Sequence, residues 1–233
     1  MPELHDVSDV SGNEQVYRHL RREIIEGRYG PGERIVEAHV AALLAVSRTP
    51  VREAVRRLET EGLVVSERNR GAHVRTLTES DIADVYEARA RLEGFMSELA
   101  ARRAQPDDIE AIHAAADHFD RVIDEVDHET VDGLRAILRA NDRFHAALVE
   151  AGRADQVVRI LATAVDMPIV FTAFSLYSPA ELRRSSIFHR LIAEAVEAGQ
   201  PERAGRLMNE HVLQGRDAHR RRFREPQRQP ESA

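Results

Sequence analysis

Two groups of residues have the types and spacing to do chemistry. Ser47, Arg48, Thr49, Arg52, Glu53 and Arg56 fall within ten consecutive positions. Arginine grips guanine O6 and N7 through two hydrogen bonds, while hydroxyls and the free N–H groups of a helix start hold phosphate, so this cluster suits DNA. The second group consists of polar residues set on apolar helical stripes. Asn141 and His145 lie one turn apart on the stripe of Leu134, Ile137, Leu138 and Leu148. His211 continues the stripe of Ala204, Leu207 and Met208, and His189 lies near the edge of one carrying Ile192 and Val196. Arg89 and Glu93 stand mid-stripe among Ile82, Val85, Tyr86, Met96 and Ala100. Buried charge and imidazole are costly unless paired or bound to a metal, so four helices bringing such groups to one interior imply a polar pocket. For a lone histidine the ordinary reading is a hydrogen-bonded core or surface residue. His5, His19, His39, His73, His113, His118, His128 and His219 take only that reading.

These groups need elements to hold them. Val16, Leu20, Ile24 and Ile25 share one face of a helix expected over 14–27, which the breakers Gly30, Pro31 and Gly32 follow. Short helices at 36–44 and 49–61 flank a turn at 45–48; in the second, Val51, Ala54, Val55 and Leu58 face inward and the arginines outward. Two β-rich runs around "ERNRGA" then read as a hairpin. After Thr78, a helix cap, the pattern is helical throughout: helices to about 103, then near 106–126, 131–151, 153–174, 179–198 and 201–223. The expected organisation is a helix-and-hairpin module at 14–77, an all-helical bundle at 78–223, and loose polar tails at 1–13 and 224–233.

Composition narrows the chemistry. The 233 residues contain no cysteine, which excludes disulfides, thiol catalysis and Cys-based metal sites. All 33 basic residues are arginine. Net charge is −7, but residues 46–77 carry seven Arg against four Glu, a local basic patch on an acidic chain. No run approaches the roughly 18 apolar residues of a membrane span and no signal-peptide pattern opens the chain, so a soluble, cytoplasmic protein without a membrane partner is expected.

The stretch "PGERIVEAHVAALLAVSRTPVREAVRRLETEGLV", above all "VSRTPVREAVRRLE", resembles the winged helix-turn-helix of GntR-family transcription regulators. With the helical remainder, residues 14–222 look like the FadR-type branch with an FCD (ligand-binding) domain. The resemblance implies a mainly α protein, a winged helix-turn-helix followed by an all-α bundle, in which Ser47, Arg48, Thr49, Arg52, Glu53 and Arg56 contact operator DNA and Gly71 lies on the wing. Two positions depart from the family. Ala45 stands where a turn glycine is usual, which implies local strain. Ala38 replaces an arginine that contacts DNA in some members.

In many FCD domains an Asp four residues before a His, with two later histidines, holds a divalent metal. The matching strings "NDRFHAAL" and "FHRLIAEAVEAGQPERAGRLMNEHV" align Asn141, His145, His189 and His211. Asn replaces Asp and makes the site less anionic, with Asp142 about 60° round the helix as another donor; zinc, nickel or a similar ion suits three imidazoles. The family commonly receives a small carboxylate effector beside the metal, and "EARARLE" makes Arg89 the candidate clamp, unless Arg89 and Glu93 form an internal i,i+4 pair. The function implied is a ligand-responsive regulator, a repressor in the first instance, acting as a homodimer on a palindrome. A metal-dependent hydrolase using the three histidines and a pure metal sensor are the alternatives.

Overall fold

The computed structural model of the chain describes residues 12–67, 70–154, 157 and 173–224. It divides into two compact units, residues 1–77 and 78–233. Residues 225–233 of the expected tail 224–233, most of the tail 1–13 and most of the helix expected at 153–174 lie outside the described residues, while Arg224 ends the last helix.

The first unit runs α1 (Gly12–Ile25), β1 (Arg34–Ile35), α2 (Glu37–Leu43), α3 (Arg48–Thr60), β2 (Val64–Glu67) and β3 (Gly71–Val74). Helix α1 starts two residues before the expected 14, so Asn13 belongs to a helix and not to a tail. Its apolar face, Val16, Leu20 and Ile24, packs with Val40 of α2 and with Val51, Val55 and Leu58 of α3 in one core. The hairpin is present, with Val64 opposite Val74 and Glu67 opposite Gly71. It gains a third strand that sequence reading did not find: β1 pairs antiparallel to β3, with Ile35 opposite Ala72, in the order β1–β3–β2. A two-residue strand is too short to show alternation.

The turn between α2 and α3 behaves as its alanine implies. Ala45 takes φ +53°, in the left-handed region. Val46 N–H donates to Ala41 at 3.0 Å and Ala45 N–H to Ala42 at 3.4 Å, closing α2 in the pattern that usually places glycine where Ala45 stands.

The second unit contains α4 (Glu79–Arg103), α5 (Pro106–Glu125), α6 (Val131–Gly152), α7 (Pro179–Glu197) and α8 (Pro201–Arg224) among the described residues. The starts are locally encoded. Thr78 with Asp81 and Ser178 with Glu181 form reciprocal caps, Thr130 caps α6, and prolines open α5 and α7. The helices close a ring in which α4 packs on α6, α6 on α5, α5 on α7, α7 on α8, and α8 back on α4. Helices α4 and α8 pack closely at glycines: a Cβ on Gly215 would come within 2.6 Å of the Tyr86 ring, and one on Gly205 within 2.8 Å of Glu98. That close seam sets Arg89 and Glu93 of α4 opposite His211 of α8.

Candidate functional site

In the first unit the candidate DNA-reading residues stand on the outward side of α3. Ser47 is the N-cap residue, but its hydroxyl makes no capping bond. Ser47, Arg48, Thr49, Arg52, Glu53 and Arg56 are all exposed, while Val51, Ala54, Val55 and Leu58 are buried. The helix start therefore offers a hydroxyl, unpaired backbone N–H groups and three guanidiniums on one surface.

Neighbouring acids hold some of these groups, which sequence spacing did not reveal. The Glu37 carboxylate of α2 lies 3.4 Å from Arg48 Nη2 and 3.5 Å from Arg52 Nη2. Glu53 accepts a hydrogen bond from Asn13 of α1. Arg57, the immediate neighbour of Arg56, is committed to the fold: it covers the Tyr17 ring at 3.5 Å and pairs with Glu14 at 2.8 Å. Arg56 makes no ion pair among the described residues. Gly71, at φ +84°, opens β3 in a conformation that side chains avoid, and the Arg34 guanidinium lies beside it. Its requirement is thus set by the backbone as well as by approach. Arg68 and Asn69 at the hairpin tip lie outside the described residues.

In the second unit His145, His189 and His211 converge from α6, α7 and α8. His145 Nε2 lies 3.2 Å from His211 Nε2, which lies 3.1 Å from His189 Nε2. One ring nitrogen cannot serve two such neighbours, since it carries either one proton or one lone pair. His189 Nδ1, His211 Nδ1 and Asn141 Oδ1 are buried without a hydrogen-bond partner. Hydrogen bonding therefore cannot satisfy the clustered Nε2 atoms, whereas three Nε2 atoms sharing one ion at about 2.0–2.1 Å would stand at such separations; an ion there leaves the two Nδ1 atoms as they are. The residues fit a borderline divalent metal.

The surroundings fix the rings. His189 is fully buried, at the centre of the helix packing and not near a stripe edge as its spacing implied. Phe144 stacks on it with centroids 4.0 Å apart, and Phe119 meets it edge-on at 4.5 Å. His145 Nδ1 donates to Glu93 Oε2 at 2.6 Å, which leaves its Nε2 lone pair aimed into the cluster. Glu93 Oε1 accepts from Arg89 Nε at 2.9 Å, and Arg89 Nη2 lies 2.9 Å from the same oxygen. The internal pair between Arg89 and Glu93 is therefore formed, and it continues to His145.

Burial opposes the charge on Glu93, but the Arg89 guanidinium and then the His145 imidazole outweigh it and hold the carboxyl down at about 2. Burial, reinforced by neighbouring imidazoles, pushes His189 well below the ordinary histidine value and His211 down to about 3. Both are thus neutral donors at neutral pH. A small cavity adjoins the cluster, lined by Arg89, Asn141, His145 and His211 together with Tyr86 and Tyr177. Asn141 is buried and Asp142 exposed, so the amide is the member of that pair on the cavity side.

The Glu93–His145 contact and the two phenylalanines were missing from the sequence reading. Glu93 had a signal, as a carboxylate mid-stripe. Its partner on α6 is a tertiary contact with none.

Comparison with known proteins agrees with the geometry of both units. A model of bacterial regulatory proteins of the gntR family matches residues 13–74, and a model of the FCD domain matches residues 84–214. The chain is 30% identical over 201 residues to the uncharacterized HTH-type transcriptional regulator YdhC of Bacillus subtilis, covering 85% of each chain. It is 31% identical over 199 residues to the probable D-xylose utilization operon transcriptional repressor of Paenarthrobacter nicotinovorans, covering 85% of this chain and 84% of that one. Among solved structures, a putative GntR transcriptional regulator from Rhodococcus sp. RHA1 superposes with a TM-score of 0.67 at 26% identity, covering 92% of this chain and 99% of that one. E. coli McbR/YncC, at 22% identity and the same coverage, shares the fold with a TM-score of 0.74.

Proposed function

The chain belongs to the GntR family of bacterial regulatory proteins with an FCD domain and is a transcriptional regulator rather than an enzyme; from that premise we propose that it is a ligand-responsive repressor. One observation carries the reading: the polar groups at the start of α3 face solvent, while three imidazoles with no internal hydrogen-bonding solution converge in the other unit. The first arrangement is suited to an external polyanion. The second is suited to a signal received inside.

On this reading a homodimer places two copies of α3 in successive major grooves, about 34 Å apart on a palindromic operator. Arg52 and Arg56 reach base edges, Ser47, Arg48 and Thr49 hold phosphate, Glu53 selects against or for a base beside them, and Gly71 brings the wing to the duplex. Arg48 and Arg52 leave Glu37 when they meet DNA. The relative from Paenarthrobacter, named as a probable repressor, supports the direction of control.

His145, His189 and His211 would hold a divalent metal, zinc or nickel by donor type, with Asn141 as a fourth, neutral oxygen donor. When bound, that ion supplies a Lewis-acidic centre for an anionic oxygen. Glu93 orients His145, and Arg89 both neutralises Glu93 and lines the small cavity beside the cluster, towards which a small carboxylate effector would be drawn. To act as a switch, the effector must bind the DNA-competent and DNA-incompetent arrangements unequally.

Operator affinity measured in chelator, in zinc, and in zinc with a panel of small carboxylates tests this. A carboxylate-dependent loss of binding is expected. A response to metal alone would make the ion itself the signal, and no response in any arm would overturn the reading. Arg52→Ala should cost about 1–3 kcal/mol of sequence-specific affinity without altering the dimer, and undiminished affinity would displace Arg52 from the reading surface.

A further inference from the structure

Thr49, Arg52, Glu53 and Arg56 recur at three- and four-residue intervals and share the outward stripe of α3. Glu53 is the acid among them. A carboxylate brought up to a duplex is repelled by phosphate, and the ordinary remedy is a neighbouring arginine. Arg48, Arg52, Arg56 and Arg57 all lie within five positions of Glu53, yet among the described residues none of them forms an ion pair with it. Arg48 and Arg52 turn to Glu37, and Arg57 turns to Glu14 and Glu61.

The group that does hold Glu53 is neutral. Asn13, in the first turn of α1, donates through Nδ2 to Glu53 Oε2. An amide fixes one carboxylate oxygen without cancelling the charge, so Oε1 keeps its capacity to accept. Arg57, one turn further along α3, is tied to the same stretch of α1 through Glu14 and the Tyr17 ring. The start of α1 is thus anchored along the flank of α3, and Asn13 narrows the rotamers open to Glu53 before any DNA arrives.

A fixed, charged acceptor on a reading surface needs a donor to meet. In the major groove the base donors are adenine N6 and cytosine N4. Adenine N6 lies beside N7, whose lone pair repels a carboxylate, whereas cytosine carries no acceptor beside N4 on that edge. We propose that Glu53 reads a cytosine in each operator half-site and that Asn13 is the positioning residue that makes the reading selective. The inference rests on the α3 surface described under Proposed function, and it adds the base and the residue that holds its reader.

The test is selection of bound duplexes from a random-sequence library by the full chain, followed by competition between duplexes that differ at single positions. Wild type should prefer cytosine at one position of each half-site by about fivefold or more, in the range of a single mismatched base pair. Glu53→Gln should lose that preference and move towards adenine, whose N6 and N7 match an amide. Asn13→Ala should cut the cytosine preference at least about twofold and leave the other positions of the half-site as selective as before, and Asn13→Gln, which keeps the amide, should recover it. Asn13 and Glu53 are both exposed, so neither substitution removes a buried contact. Unchanged cytosine preference in Glu53→Gln would overturn the proposal, as would a selected half-site without a cytosine that depends on Glu53. Relaxation of every position together in Asn13→Ala would make Asn13 a structural residue and overturn its positioning role. Selection of no sequence at all by wild type would instead overturn the DNA-reading surface itself.

Discussion

Among the described residues of the first unit every buried side chain is aliphatic or aromatic, and the guanidiniums of α3 stand in solvent. In the second, Arg89, Glu93, Ser97, Asn141, His189, His211 and Gln214 are all buried. A DNA-reading surface must exchange water for phosphate and base edges, so its charges wait outside on a core that asks nothing of them. A sensing site must be selective in a small volume, so its polar groups are desolvated in advance and held by one another. The contrast teaches that equal residue types answer to different energetics in the two units, and substitutions can be chosen to expose it.

The largest expected effect is Arg89→Ala. It leaves Glu93 charged, buried and facing only His145, and removal of one partner from a buried pair typically costs about 3–5 kcal/mol. Arg52→Ala, the same change on the outside of α3, should alter stability by less than about 0.5 kcal/mol. Chemical denaturation of both variants compares them directly. Similar losses would mean that the two arginines do not differ in environment.

A pH titration of stability comes next, in chelator so that no ion competes with protons. His189 and His211 are held neutral in the fold, the latter down to about pH 3. In the unfolded chain they protonate near pH 6.5. As pH falls below that value the unfolded state binds protons that the folded state refuses, so stability falls. The slope approaches about 1.4 kcal/mol per pH unit for each imidazole, about 3 kcal/mol in all by pH 5.5. Glu93 acts in a separate window, since its stabilising charge is lost only as pH drops from about 4.5 towards about 2. Among the described residues no histidine of the first unit is buried.

The same contrast explains what could be read from sequence. The outward residues of α3 were legible because period alone decides which side of an amphipathic helix meets the core: Val51, Ala54, Val55 and Leu58 define inside, and Arg52 and Arg56 follow. Helix starts at Thr78 and Pro106 were legible because caps are local chemistry. The cost of burying polar groups pointed to a shared polar pocket, but the choice of His145, His189 and His211 as one metal-holding set came from likeness to a family, since period places a residue on a face and cannot say which faces meet. For that reason His189 was set at an edge when Phe119 and Phe144 enclose it. The Glu93 bond to His145 joins residues 52 positions apart on two helices, and strand β1 has two residues. Neither leaves a periodic trace.

The smallest expected effect sharpens the contrast from the first unit's side. Ala45 holds φ +53° in the turn before α3, a conformation that costs an L-residue about 1–2 kcal/mol and glycine nothing sterically. Glycine adds freedom to the unfolded chain, which offsets part of that gain. Ala45→Gly should therefore stabilise the first unit by about 0.5–1 kcal/mol, with Ala41 and Ala42 still accepting the two bonds that close α2. Ala45 is exposed, so no packing is lost. The gain should appear in hydrogen exchange of α2 and α3 amides and leave the amides of α6 and α8 untouched. A loss of stability would mean that the turn does not hold its left-handed residue in solution. The turn would then sit differently just ahead of Ser47, and the surface assigned to DNA would have to be redrawn from that point.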